Sequence, residues 1–226
     1  MTHYTESTQI LREEEQSALK DKHRNEILDA GMKLCLSIGV ADVDMKEIAA
    51  AARVSRATLY RYFPSKKSLV YEILRRQAAQ NAAGYHAARQ AFAGSGYEKF
   101  SQFVMQLVDA YRAFPDMFRF MGMVDFYYGS KASPDDLIAL YRELFRSLLV
   151  EDTPELYLEE GRRDGSVRVD VDPRTYTATV IAALVSLAEQ VAANKDATQT
   201  LYGLTDADVM LATLARALLD AARTVP

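Results

Sequence analysis

Residues 54–69 read Val54-Ser55-Arg56-Ala57-Thr58-Leu59-Tyr60-Arg61-Tyr62-Phe63-Pro64-Ser65-Lys66-Lys67-Ser68-Leu69. Ser55 is a strong N-cap, because its hydroxyl oxygen can accept from a free amide in the first turn of a helix. Pro64 carries no amide donor and crowds the residue before it, so a helix begun at Ser55 must stop there. Ser65 then caps a second, longer helix that runs past Ile73 and Leu74. Within the short helix, helical spacing puts Leu59 and Phe63 toward a core and leaves Arg56, Thr58, Tyr60 and Arg61 pointing outward.

Upstream, Asp44 and Glu47 have the spacing of a capping box, in which each satisfies a free backbone donor of the other. They open a helix whose apolar side is Ile48, Ala49 and Ala52. Only Arg53 and Val54 separate it from the Ser55 cap. Two helices joined by so short a turn cross steeply only over small contacts, which Ala49 supplies. Earlier still, Ile27, Leu28, Gly31, Leu34, Cys35 and Ile38 share one face of a helix expected from about Lys22 to Ile38, stopped by Gly39. Cys35, the chain's single cysteine, is a small core residue in this reading, and no internal disulfide can form. Residues 1–19 are polar, with the acidic run Glu13-Glu14-Glu15, and are expected to form a mobile arm.

Charge separates this region from the rest. The chain carries a net charge of −4, yet residues 20–80 hold twelve Lys and Arg against seven Asp and Glu, which leaves −9 elsewhere. Between Arg53 and Arg76 seven basic residues face the single acid Glu72. A small basic module on an acidic body suits local phosphate binding, and a solvated charged face is the plain alternative.

Read together, Arg24, Ile27, Leu28 and Ala30, then Gly39, then Met45-x-x-Ile48-Ala49, then the run 54–69, resemble the TetR family of bacterial regulators. The resemblance covers about a fifth of the chain directly. It implies an all-α protein: a three-helix helix-turn-helix domain over 20–66, then a larger ligand-binding and dimerisation domain over 67–226, with about nine to ten helices in total. The third helix would enter the major groove of double-stranded DNA, with Arg56 and Arg61 reading guanine edges. Thr58, Tyr60 and Lys66 match positions that hold the phosphate backbone, and Met45, Ser55, Ala57 and Tyr62 complete the expected DNA-binding set. Tyr62 fits either an inward or a DNA-facing role. Two departures stand out. Arg53 occupies the turn position where the family has glycine, which asks a side-chain-bearing residue for an unfavourable backbone angle. Met45 occupies the place of a threonine, which removes a hydroxyl–phosphate hydrogen bond.

Beyond Gly94-Ser95-Gly96 the sequence predicts helices from Tyr97 to about Phe114 and from Pro115 to Tyr128. Others open at Ser133-Pro134-Asp135 and at Thr153-Pro154, the latter ending between Gly161 and Gly165. Asp172-Pro173 opens a long helix to about Asn194, and Thr205 with Asp208 the last, to about Arg223. No stretch alternates with strand period. Residues 92–146 hold thirteen of the chain's twenty-two aromatic residues, with Met105, Met117, Met121 and Met123. That enrichment fits an ordinary core or a deformable ligand cavity. The resemblance favours a cavity for a small hydrophobic effector, expected among Phe100, Phe103, Phe118, Met121, Asp125 and Tyr128. Asp125, between Val124 and Phe126, needs a partner if buried: an arginine or a cationic ligand.

The last two helices are rich in small residues. Ala178, Ala182, Val185 and Glu189 on one, with Ala212, Ala215 and Leu219 on the other, either cover the core or, as the resemblance implies, form a homodimer interface matched to palindromic DNA. No nucleophile–base pair, metal set, Walker loop or dinucleotide fingerprint is present, and His3, His23 and His86 form no set with Cys35. The reading is therefore a non-enzymatic, ligand-responsive transcriptional regulator, a repressor, without cofactor or metal. The alternatives are a TetR-like architectural DNA-binding protein without ligand sensing and an all-α enzyme. The longest apolar run, Val180–Ala188, is far short of a membrane span and no signal peptide is visible, so a cytoplasmic protein that does not meet the membrane is expected.

Overall fold

A computed structural model describes residues 2–129, 139, 153–203, 206 and 208–224. Ten helices lie among them: α1 (Thr2–Ile38), α2 (Met45–Ala51), α3 (Arg56–Tyr62), α4 (Lys66–Gln90), α5 (Gly96–Ala113), α6 (Pro115–Gly129), α7 (Glu155–Asp164), α8 (Pro173–Ala193), α9 (Lys195–Tyr202) and α10 (Asp208–Ala222). Among the described residues the sole strand-like pairing is one antiparallel bridge, Val167 with Arg223. The helix expected at Ser133-Pro134-Asp135 lies outside the described residues.

The chain divides into two compact units, Met1–Ile73 and Leu74–Pro226. The division falls inside α4, eight residues into the helix, whereas the sequence alone set it at 66/67. Another difference is at the start. The backbone is helical from Thr2, so α1 includes the polar segment 2–19. Nothing in residues 2–21 breaks a helix, since that stretch contains neither glycine nor proline.

In the first unit, Ile27, Leu28, Cys35, Ile48, Leu59, Leu69, Val70 and Ile73 form a small, fully buried core. Gly31 lets α1 approach α4 closely: a Cβ there would stand 2.8 Å from Leu69 Cδ2. Ile38, expected on the buried face, is exposed, and Val40 and Val43 of the following turn are buried instead.

In the second unit, α5 packs against α7, α8 and α10, and α8 also against α6. Ser95 and Glu98 make a complete capping box at the start of α5. The same terminus is held from a distance: the Gly96 amide donates to Asp164 at 2.8 Å and the Tyr97 amide to Ser166 Oγ at 3.1 Å. Gly96 and Gly161 let α5 and α7 touch backbone to backbone, with the Gly161 amide nitrogen 2.0 Å from where a Gly96 Cβ would sit. By length and composition α8 could cross a membrane, although its longest continuous apolar run is short, because threonine, serine and glutamate interrupt it. It packs against α5, α6, α7, α9 and α10.

Candidate DNA interface and ligand cleft

The capping box predicted for α2 is complete: Asp44 Oδ1 accepts from the Lys46 amide at 2.9 Å, and the Asp44 amide donates to Glu47 Oε2 at 3.0 Å. The first of these contacts, from the Lys46 amide, is the main reason the Asp44 carboxyl is held below its ordinary range. The turn to α3 passes through Arg53 at φ +56°, the sole non-glycine with positive φ among the described residues. The departure noted in the sequence is therefore borne as a left-handed backbone conformation. Ser55 caps α3, its Oγ accepting from the Thr58 amide at 3.1 Å and bonding Thr58 Oγ1 at 2.9 Å.

Leu59 is the anchor that turns α3, fully buried with Phe63 beside it. The opposite side presents Ser55, Arg56, Ala57, Tyr60 and Arg61 to solvent, with Thr58 and Tyr62 half-buried at its margin. The Arg61 guanidinium lies over the Tyr62 ring, 5.6 Å from its centroid, a cation–π contact. Arg24, paired with Glu72, lies over Phe63 and braces α1 against α4 from within the same unit.

Two members of the expected DNA-binding set stand elsewhere. Met45 is buried, because as the first residue of α2 it falls on the same face as Ile48 and Ala49. Lys66 does not extend outward: its ammonium donates to the carbonyl oxygens of Val40, Ala41 and Val43.

Within the second unit a cleft of about 690 Å³ opens between the later part of α4 and α5, lined among others by Tyr85, Ala88, Phe92, Met105, Gln106 and Phe114. Beneath it Arg89 is buried, its Nε donating to Gln106 Oε1 at 2.9 Å and its guanidinium 5.2 Å from the Phe103 ring centroid. The Tyr85 hydroxyl is buried without a hydrogen-bond partner, and burial pushes its pKa up.

None of the six residues expected to line a ligand site borders this cleft. Phe100, Phe103, Phe118 and Tyr128 are buried. Phe100 and Phe103 pack against each other at 6.1 Å on the inner face of α5, and Phe118 meets Tyr111 edge-on at 5.8 Å. Their aromatic density is core, and the cleft uses the other side of α5. The signal that marks the cleft is the pairing of small Gly84 and Ala88 with Met105 and Gln106, residues distant in sequence.

Met121 and Asp125 are half-buried on α6. On α8 a second carboxylate, Glu189, senses the charge of Asp125. Burial pushes Asp125 up to about 6. Burial, and then the charge of Asp125, push Glu189 up to about 7. Gly122 leaves room for Glu189, whose Cβ would lie 3.2 Å from a Cβ at that position.

The expected dimer residues also separate. Ala178 and Ala182 are exposed on α8, and Val185 and Glu189 are half-buried. Ala212, Ala215 and Leu219 are buried in the chain's own core, because α10 turns that face onto α5 and α8. Outward on α10 are Val209, Thr213, Arg216 and Ala217 instead.

Residues 27–73 match the model of the bacterial regulatory proteins of the tetR family. The chain is 29% identical over 160 residues to the HTH-type transcriptional repressor KstR2 of Rhodococcus jostii, spanning 68% of this chain and 72% of that protein. Its fold is similar to that of Thermus thermophilus FadR, a TetR-family repressor in complex with lauroyl-CoA, with a TM-score of 0.56 at 24% identity over 90% of this chain and 97% of that one. It is also similar to Bacillus subtilis FadR in complex with stearoyl-CoA, with a TM-score of 0.61 at 15% identity over 86% and 96% of the two chains. Residues 27–73 thus share the helix-turn-helix segment of the tetR family model, with Arg56, Tyr60 and Arg61 outward on its third helix, and the fold of the described residues is similar to that of solved TetR-family regulators.

Proposed function

We propose that the chain is a ligand-responsive transcriptional repressor rather than an enzyme, binding a palindromic operator as a homodimer. The observation that carries the reading is the solvent-facing set Ser55, Arg56, Ala57, Tyr60 and Arg61 on a helix anchored by Leu59. Arg56 and Arg61 have the reach and donor pattern for guanine O6 and N7, and Tyr60 and Thr58 suit phosphate oxygens. Self-association through Ala178 and Ala182 on α8, with the outward face of α10, would bring two recognition helices to one duplex, whose half-sites lie about 34–36 Å apart, one turn of DNA.

The effector site is assigned to the cleft between α4 and α5, which is concave, apolar and supplied with a few polar groups, as small-molecule sites are. Two structural neighbours were solved with long-chain acyl-CoA molecules, so thioesters of this class are the first candidates here. α4 runs unbroken from Lys66 to Gln90, and a ligand that favours a different course of this helix would change the separation of the recognition helices. A coupling of about 1–3 kcal/mol is usual for such switches. The test is selection of a duplex from a random pool, followed by titration of that duplex with and without lauroyl-CoA, stearoyl-CoA and uncharged apolar compounds. Release of DNA by one class, abolished by Tyr85→Ala with Met105→Ala, is expected. Ligands that stabilise the protein yet leave DNA affinity unchanged refute the coupling, and scattered binding without a selected sequence favours an architectural protein.

A further inference from the structure

Lys66 is the first residue of α4, and its side chain runs back across its own unit. Nζ lies 2.7 Å from the Val40 carbonyl oxygen and 2.9 Å from those of Ala41 and Val43. An ammonium has three N–H donors, so three acceptors from one turn can occupy it fully. That turn is where α1 ends. Gly39 at φ +91° closes α1 with its amide on the Cys35 carbonyl at 2.9 Å, and the chain then reverses to reach the Asp44 cap of α2. Carbonyls in such a turn have no helical ladder to accept from, and leaving them without donors when partly buried is costly. The ammonium is also close enough to Cys35 to oppose the effect of burial on that thiol.

We propose that Lys66 is a positioning residue for DNA binding, a tie that holds the α1–α2 turn to the start of α4 and so sets the direction in which α2 and α3 leave, and that it is not a phosphate contact. A phosphate could take the ammonium only by stripping three charge-assisted hydrogen bonds. The inference rests on the DNA-binding reading above, and it changes what salt should do. Each phosphate neutralised by a cation adds about 0.9 to the slope of log affinity against log salt, whereas a positioning residue adds nothing.

Lys66→Met and Lys66→Arg are titrated, over a range of salt, with a duplex that the wild-type chain selects from a random pool. Both variants are expected to lose about tenfold in affinity at every salt concentration while keeping the wild-type slope. Arginine should fail to rescue, because its planar fork cannot send three donors from one nitrogen to three carbonyls. In DNA-free protein, amide exchange across residues 40–43 should quicken in both variants, with the amides of 69–73 still protected as a sign that the unit is folded. A slope flattened by about 0.9 in Lys66→Met, or wild-type affinity in Lys66→Arg, overturns the proposal and returns Lys66 to the phosphate backbone. Failure of the wild type to select any duplex would sink the DNA-binding reading alone. Unchanged exchange at 40–43 in Lys66→Met would sink the tie alone.

Discussion

The two units put their chemistry in opposite places. In Met1–Ile73 a few fully buried residues suffice to hold α1, α2, α3 and the start of α4 together, and the groups that matter stand outside: Arg56, Tyr60 and Arg61 are exposed on α3. In Leu74–Pro226 Phe100, Phe103, Phe118 and Phe120 are buried, and the groups that matter are buried or half-buried: Arg89 by the cleft, Asp125 and Glu189 on α6 and α8. A reading surface needs donors that water can be exchanged from at little cost, so it is built of solvated cations on a rigid turn. A ligand cavity works by desolvation, so its polar groups are few and their environment is set by distant helices.

The sharpest way to break the comparison is to place one charge on each of two alanines of the body. Ala215 is fully buried, so Ala215→Asp should cost about 3–5 kcal/mol and unfold the second unit, seen as loss of its helical signal at moderate urea. Ala182 is exposed on α8, so Ala182→Asp should leave the monomer folded and abolish self-association in sedimentation. A folded Ala215→Asp monomer would mean that α10 shows that face to a partner after all.

On the reading head the expected cost is smaller and of a different kind. Arg56→Ala should lose about 1–3 kcal/mol on the selected duplex and little on random DNA, with unchanged thermal stability. Equal losses on both duplexes would remove the base-reading role.

The body should show its buried carboxyls in its pH dependence. Asp125 and Glu189 keep their protons to about 6 and about 7 in the folded chain, above the ordinary carboxylate range. The folded state therefore binds more protons than the unfolded one between about pH 4 and 7, and stability is highest below that window and falls as pH rises through it. The two groups together should account for about 1–2 kcal/mol between pH 5 and pH 8, measured by urea unfolding, and Glu189→Gln should remove most of that slope and stabilise the chain at pH 8. A stability that rises across the same interval would contradict the burial of this pair.

The smallest effect is expected at the turn. Arg53 holds φ +56°, so Arg53→Gly should relieve strain and raise stability by up to about 1 kcal/mol, partly offset by the greater freedom of glycine in the unfolded chain. Arg53→Pro, which cannot adopt that φ, should destabilise the unit and marks the control.

The caps and turns of residues 44–69 were legible from sequence, though not the places of Met45 and Lys66. The Asp44–Glu47 box, the Ser55 cap, the stop before Pro64 and the strain at Arg53 are contacts within four residues or torsions of one residue, and local pattern determines them. The same holds for α5, α6, α7, α8 and α10, whose starts and stops are written in Ser95, Pro115, Gly165, Asp172-Pro173 and Asp208. What the tertiary structure decided is which side of each helix is inside. Lys66 was drawn to carbonyls more than twenty residues away. Phe100 and Phe103 went to the core while Met105 and Gln106, on the same helix, went to the cleft. Ala212, Ala215 and Leu219 were taken by the chain's own core. α9 escaped notice because Lys195–Tyr202 follows α8 after one residue and has no strong cap. An amphipathic pattern states that a helix has an apolar side; whether that side meets the chain's own core, a ligand or a second copy depends on packing between elements far apart in sequence, and no local signal carries it.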